Sequence, residues 1–144
     1  MEEKLNGLLA DLVYFYHKLQ SYHWYVGGYT FFQSHEKLEE YYDMINPQID
    51  DVAEMMLQAE MKPVSTVAAF TANTKIKEAP GNYVTNVDAL FSDVLADFRY
   101  LLKSVTTIKE EADEAGNYLI SAKMDEYIAS YSKAIWMLSQ TLMK

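Results

Sequence analysis

Leu5, Leu8, Leu9, Leu12, Val13, Tyr16, Leu19 and Tyr22 recur at spacings of three and four, the period of one helix face, so the chain opens on an amphipathic helix. The pattern predicts it over about residues 2–26, closed by Gly27-Gly28. Ser34 is placed to cap a second helix whose stripe of Leu38, Tyr42, Ile45, Ile49, Val52, Ala53 and Met56 runs to about Glu60. Pro47 falls inside that stripe. It removes the hydrogen bond to the Asp43 carbonyl at about 3 kcal/mol in a regular helix, which predicts a kink or local break near Asn46. Residues 62–83 hold Pro63, Pro80 and Gly81 around a short apolar centre at 67–70, the mark of a long connection carrying one or two helical turns. A third helix starts near Asn86, with Val87, Leu90, Phe91, Val94, Leu95, Phe98, Leu101, Leu102, Val105 and Ile108 on its stripe and Gly116 at its end. The fourth carries Ile120, Met124, Tyr127, Ile128, Tyr131, Ile135, Leu138 and Leu142 to the end of the chain.

Two helices, a long crossover and two more helices predict an all-α chain. A long crossover joins parallel neighbours, so the pattern fits a ferritin-like four-helix bundle better than an up-down-up-down one. The 144 residues, half of them hydrophobic, fill one compact core and predict a single domain over 1–144. No internal repeat interrupts it. No apolar run approaches the roughly 20 residues of a membrane span. The opening MEEKLNGLLADLV lacks a basic region and a cleavage site, so the expectation is a soluble, cytoplasmic protein with no membrane partner.

Charge and cysteine content narrow the chemistry. With no cysteine there is no disulfide and no thiolate metal site, so any metal is held by His, Asp, Glu or backbone oxygen. The net charge is −9, from 12 Lys plus Arg against 21 Asp plus Glu, and no cationic patch or tail is visible. Duplex binding needs clustered cations that displace counterions from phosphates, so this balance argues against it. Acidity of this kind usually serves solubility, and a field that gathers cations is the functional alternative.

A ferritin-like bundle commonly holds two metals inside one subunit through Glu-x-x-His on each of two helices. No Glu-x-x-His occurs here: the histidines are His17, His23 and His35, and none follows a glutamate at that spacing. On the second helix, His35, Glu39, Asp50 and Glu54 lie at offsets of about 0°, 40°, 60° and 100°, on one polar stripe. His35 and Asp50 are nevertheless roughly 22 Å apart along the axis at about 1.5 Å per residue. One chain cannot close such a site. Two copies of this helix packed antiparallel across a two-fold axis near residues 42–43 would bring His35 and Glu39 of one copy to Asp50 and Glu54 of the other. His23, near the first turn, would fold back to add a second imidazole. Such mixed nitrogen and carboxylate donors suit Fe(II), and also Zn(II) or Mn(II). The ordinary reading stands beside this one: acids at i, i+4 usually mark a solvated face, and a histidine at a helix end is usually a surface residue.

Residues 22–28 (YHWYVGG), 31–43 (FFQSHEKLEEYYD) and 49–54 (IDDVAE) together are similar to the Dps family of mini-ferritins. Weaker similarity continues through 62–66, 90–93, 111–116 and 134–138, so nearly the whole chain is covered. The resemblance implies a hollow dodecamer with di-iron ferroxidase centres at two-fold interfaces, His23 and His35 from one subunit and Asp50 and Glu54 from its partner. His23 and His35 would hold a tightly bound iron that Glu54 anchors; Asp50 would bridge towards a weaker second position, with Glu39 nearby. The family oxidises Fe(II), typically with hydrogen peroxide in preference to dioxygen, and stores the Fe(III) mineral inside. Trp24 and neighbouring tyrosines would be placed to donate electrons, although Tyr22, Tyr42 and Trp136 also fit packing. Family members that bind DNA commonly carry a lysine-rich tail, and here Met1-Glu2-Glu3-Lys4 runs almost directly into the first helix. Around the iron-entry channel of many members this chain keeps Asp113 and Glu114 but has Tyr118 and Ala122.

The leading expectation is therefore a ferroxidase and iron-storage protein. A nucleoid protein that shields DNA physically and a protein that sequesters Zn(II) or Mn(II) without turnover are the alternatives from other classes.

Overall fold

The computed structural model describes residues 1–144 and contains five helices: α1 (Glu2–Tyr25), α2 (Phe31–Gln58), α3 (Val67–Asn73), α4 (Val87–Ala115) and α5 (Tyr118–Thr141). The all-α architecture and the crossover with its short helix are as the sequence predicts. α1 packs along α2 and α4 along α5, while α1 also meets α4 and carries α3 on its flank. The four long helices meet at Phe98 of α4. Its ring contacts Phe15 of α1 edge-on at 5.0 Å, Tyr41 of α2 at 5.1 Å and Tyr131 of α5 at 5.9 Å. Phe15, Phe98 and Tyr131 are fully buried, and truncating such a ring in a core costs about 3–5 kcal/mol.

Helix ends follow local chemistry. Asn86 Oδ1 accepts from Ala89 N at 3.0 Å and Asn117 Oδ1 from Ile120 N at 3.2 Å, which caps α4 and α5. α2 and α4 end in the same closing motif. In α2, Glu60 N donates to Leu57 O and Met61 N to Met56 O; in α4, Gly116 N donates to Asp113 O and Asn117 N to Ala112 O. Both motifs require a left-handed residue, which is Gly116 at φ 69° in one and Glu60 at φ 61° in the other.

Two local expectations need correction. Ser34 does not cap the second helix. The helix begins at Phe31 behind Thr30, and the Ser34 amide already donates to Thr30 O at 2.9 Å, which places Ser34 in the first turn with its side chain buried. Nor does Pro47 break α2, which runs unbroken from Phe31 to Gln58. Pro47 and Asp43 both lie on the exposed face, where the carbonyl left without its partner need not be buried. The adjacent Gln48 is buried and accepts from Tyr131 Oη at 2.5 Å, holding this stretch of α2 against α5.

The crossover is fastened to α1 along its length. Asn6 donates to Lys62 O and accepts from Val64 N. The buried Asp11 carboxylate accepts from Thr74 Oγ1, Lys75 N and Tyr100 Oη at 2.7–2.8 Å. At the far end Val84 N donates to Tyr25 O at 3.0 Å and Gly27 N to Val84 O at 2.9 Å, a single parallel bridge between Val26 and Val84. That bridge fixes the turn between α1 and α2.

Candidate metal centre

The turn places two imidazoles face to face. His23 is in the last turn of α1 and 6% exposed; His35 is in the first turn of α2. Gly28, at φ 112°, reverses the chain between them in a conformation that a side chain would strain. The two rings stack at 3.7 Å with 12° between their planes. His23 Nδ1 lies 2.7 Å from His35 O and His35 Nδ1 lies 2.8 Å from His23 O. A carbonyl oxygen can only accept, so each Nδ1 carries the proton and donates. In the neutral rings the lone pair is thereby confined to Nε2, the arrangement in which an imidazole binds a metal. Phe31 stacks on His35 at 4.8 Å and Tyr42 meets His23 edge-on at 5.3 Å, so the pair sits between aromatic rings.

Glu39, one turn beyond His35, brings Oε1 to 3.7 Å from His23 Nε2. Three of the five residues singled out in the sequence, His23, His35 and Glu39, are thus together in one chain. Asp50 and Glu54 are not. They are exposed on α2, about 22 and 28 Å further along the helix axis than His35. Accordingly no group of three or more His, Asp or Glu within the chain is arranged to hold a metal ion. Two imidazole nitrogens and one carboxylate are donors of the kind that suit a borderline divalent metal such as Fe(II).

Residues 2–144 match the ferritin-like domain family. The DNA protection during starvation protein of Brevibacillus brevis is 36% identical over 138 residues, covering 96% of this chain and 91% of its own. The protein of that name from Listeria monocytogenes serovar 1/2a is 32% identical over 143 residues, with 99% and 92% covered. The chain belongs to the Dps family. The crystal structure of a Dps protein from Bacillus brevis has a TM-score of 0.93 to it at 34% identity, covering 99% of this chain and 94% of the other. That of Vibrio cholerae O1 Dps, described as a member of a broad superfamily of ferritin-like diiron-carboxylate proteins, has a TM-score of 0.93 at 32% identity, covering 99% and 88%.

In this Dps chain the bundle interior holds no Glu-x-x-His pair and contains a cation of its own. Lys18, its side chain 2% exposed, lies between α1 and α4 with Nζ 2.7 Å from Asp97 Oδ2 and 3.1 Å from Asp93 Oδ2. Tyr22 Oη donates to Asp93 Oδ2 at 2.6 Å. Burial pushes the Asp97 carboxyl above the usual range, against the pull of Lys18. The cationic charge buried between α1 and α4 is thus an ammonium held by two carboxylates. The sequence reading missed this cluster, whose cross-bundle partners lie 71–79 residues apart.

Of the acids kept at the junction of α4 and α5, Asp113 is tied by a hydrogen bond from Ser121 and by Lys109, whose Nζ also lies 3.0 Å from Asp125. The Ser121 hydroxyl, ahead of Lys109, holds the Asp113 carboxyl below its ordinary range. Tyr118 stands exposed at the start of α5. Trp24 is 56% exposed and packs edge-on to His17 at 6.0 Å, away from the histidine pair.

Proposed function

We propose that the protein is a ferroxidase and iron-storage protein that oxidises Fe(II) at sites shared between subunits and holds the Fe(III) mineral inside a shell of about twelve single-domain chains, 1–144 each. The observation that carries this reading is the reciprocal hydrogen bonding of His23 and His35. It delivers two oriented, metal-ready nitrogens beside Glu39, while the matching carboxylates face outward elsewhere on the same helix. An antiparallel pair of α2 helices crossing near residues 42–43 completes two equivalent sites with Asp50 and Glu54 from the partner subunit.

Each residue then has a task. His23 and His35 bind the ferrous substrate through Nε2, and Glu54 of the partner subunit supplies the anchoring carboxylate. Asp50 of the partner subunit reaches towards a second ferrous ion, and Glu39 lies on the same side. Hydrogen peroxide or dioxygen is the oxidant. Reduction of peroxide to water draws one electron from each of two ferrous ions, so a site that holds both avoids releasing a one-electron product. Carboxylates balance the rising positive charge as Fe(II) becomes Fe(III).

The relatives are named for protecting DNA. Keeping Fe(II) and peroxide apart achieves that without contact with DNA, which suits a chain of charge −9 whose Lys144 is already paired with Asp88. The test is the assembly mass together with an Fe(II) and peroxide oxidation trace of the wild type and of His23→Ala plus His35→Ala. A shell-sized wild type that consumes Fe(II) rapidly, and a double variant of the same mass that does not, is the expected result. Unchanged oxidation in the double variant sinks the site, and a wild type that binds Fe(II) without oxidising it leaves a sequestration protein.

A further inference from the structure

α2 carries residues of both halves of the proposed shared site, and Pro47 lies between them. His35 and Glu39 precede it; Asp50 and Glu54 follow it. Proline has no amide hydrogen, so the backbone bond from residue 47 to the Asp43 carbonyl is missing, and this is the turn where α2 is held least by its own backbone. The core takes hold one residue later. Tyr131 Oη of α5 donates to Gln48 Oε1 at 2.5 Å, across 83 residues of sequence, with Gln48 6% exposed and Tyr131 fully buried. Burial, ahead of the neighbouring Tyr127, holds the Tyr131 phenol well above its ordinary range, so it stays a donor. The other polar link from α5 to this half of α2, Lys123 Nζ to Asp51 Oδ2, spans 3.7 Å between partly exposed side chains.

Asp50 and Glu54 stand about 200° and 240° round the helix axis from Gln48, on the outward side. A bond on the core side therefore sets the bearing of the carboxylates on the other. At about 6 Å from the axis, a turn of about 10° displaces a carboxylate by about 1 Å, beyond the roughly 0.5 Å within which a binding constellation must be held. We propose that Tyr131 and Gln48 are positioning residues that fix the second half of α2 in phase, so that Asp50 and Glu54 reach the histidines of the partner subunit at the right bearing. This rests on the shared-site reading above. Neither residue touches iron; the effect passes through the helix.

Tyr131→Phe alone keeps the ring beside Phe98 and Tyr127 but leaves Gln48 Oε1 buried without a donor, and so loses stability as well. Tyr131→Phe with Gln48→Met removes both polar partners at nearly constant volume. In assembled protein this double variant should bind Fe(II) roughly tenfold more weakly by anaerobic titration calorimetry, with Tm within a few degrees of the wild type. Mixed shells then show which half of the site is affected. One parent subunit has His23→Ala and His35→Ala and still offers Asp50 and Glu54; the other has Asp50→Ala and Glu54→Ala and still offers the histidines. The double variant is added to one parent or to the other, and each is reassembled with the unaltered second parent. A loss of stability would weigh equally on both mixtures. Carried by the subunit that supplies the carboxylates, the double variant should raise the Fe(II) concentration for half-maximal oxidation roughly tenfold. Carried by the subunit that supplies the histidines, it should leave that concentration unchanged. Equal losses in both mixtures, or no loss in either, overturn the proposal. Unaltered parents that regain no oxidation when mixed reject the shared site itself, and the role of the pair with it.

Discussion

Lys18 Nζ lies 2.7 Å from Asp97 Oδ2 inside the bundle, and this one ammonium also serves Asp93. Removing it leaves the largely buried Asp97 carboxylate without its cation, while the 40% exposed Asp93 keeps contact with solvent. Lys18→Met should lower stability by about 3 kcal/mol, roughly 10 °C in Tm for a chain of this size. Adding Asp93→Asn and Asp97→Asn should recover most of that loss, because the uncompensated charge is then gone. Calorimetry of the single and triple variants tests both statements; a single variant as stable as the wild type would show the pair to be dispensable.

Complementation tests whether the site needs two chains. A subunit with His23→Ala and His35→Ala and one with Asp50→Ala and Glu54→Ala should each form inactive shells. Unfolded, mixed in equal amounts and reassembled, they should regain roughly a quarter of the wild-type rate, since half the dimers pair unlike chains and each such dimer holds one intact site. Reassembled mixtures without activity would place Asp50 and Glu54 outside the site.

Tyr127 carries a buried hydroxyl with no hydrogen-bond partner. Tyr127→Phe deletes that group and keeps the ring, so Tm should rise by a few degrees, about 1 kcal/mol. A drop in Tm of similar size would reveal a water bound to that oxygen.

High pH should unfold the protein through its tyrosines. Burial, followed by the neighbouring Glu40, pushes the Tyr41 phenol up to about 12. Burial also raises Tyr22, Tyr100 and Tyr127, helped by Asp93, Asp11 and Asp51 respectively. In the unfolded chain these groups ionise near pH 10, so the stability they contribute is complete below that value and is lost as pH climbs through the folded-state range. Denaturant midpoints should hold steady up to about pH 9 and fall from pH 10 upward, with phenolate absorbance from these residues appearing only as the fold is lost. Early, full titration of all 12 tyrosines in folded protein would contradict this.

The long helices were legible because periods of three and four leave an unmistakable stripe, and α3 because apolar residues interrupt a proline-bounded connection. Spacing and resemblance picked out five candidate residues, of which the structure brings His23, His35 and Glu39 together and leaves Asp50 and Glu54 apart from them. Other features have no sequence signature. The acceptors that orient His23 and His35 are backbone carbonyls, which every residue owns. Lys18, Asp93 and Asp97 meet across the bundle from positions that, taken one at a time, look like solvated charges. Ser34 misled because a good capping residue stood one turn inside a helix that phenylalanines begin, and Pro47 misled because its cost depends on which way the orphaned carbonyl faces.

The turn from Gly27 to Thr30 carries no group that could bind a metal, yet it works as a gauge. Each histidine is hydrogen-bonded to the other's backbone, so the two helix ends form a closed ring whose circumference is counted in residues. Inserting or deleting one residue there would shift α2 against α1 and open both hydrogen bonds at once. Any chain that keeps the two histidines but changes the twelve-residue interval between them would keep both imidazoles and lose their pairing.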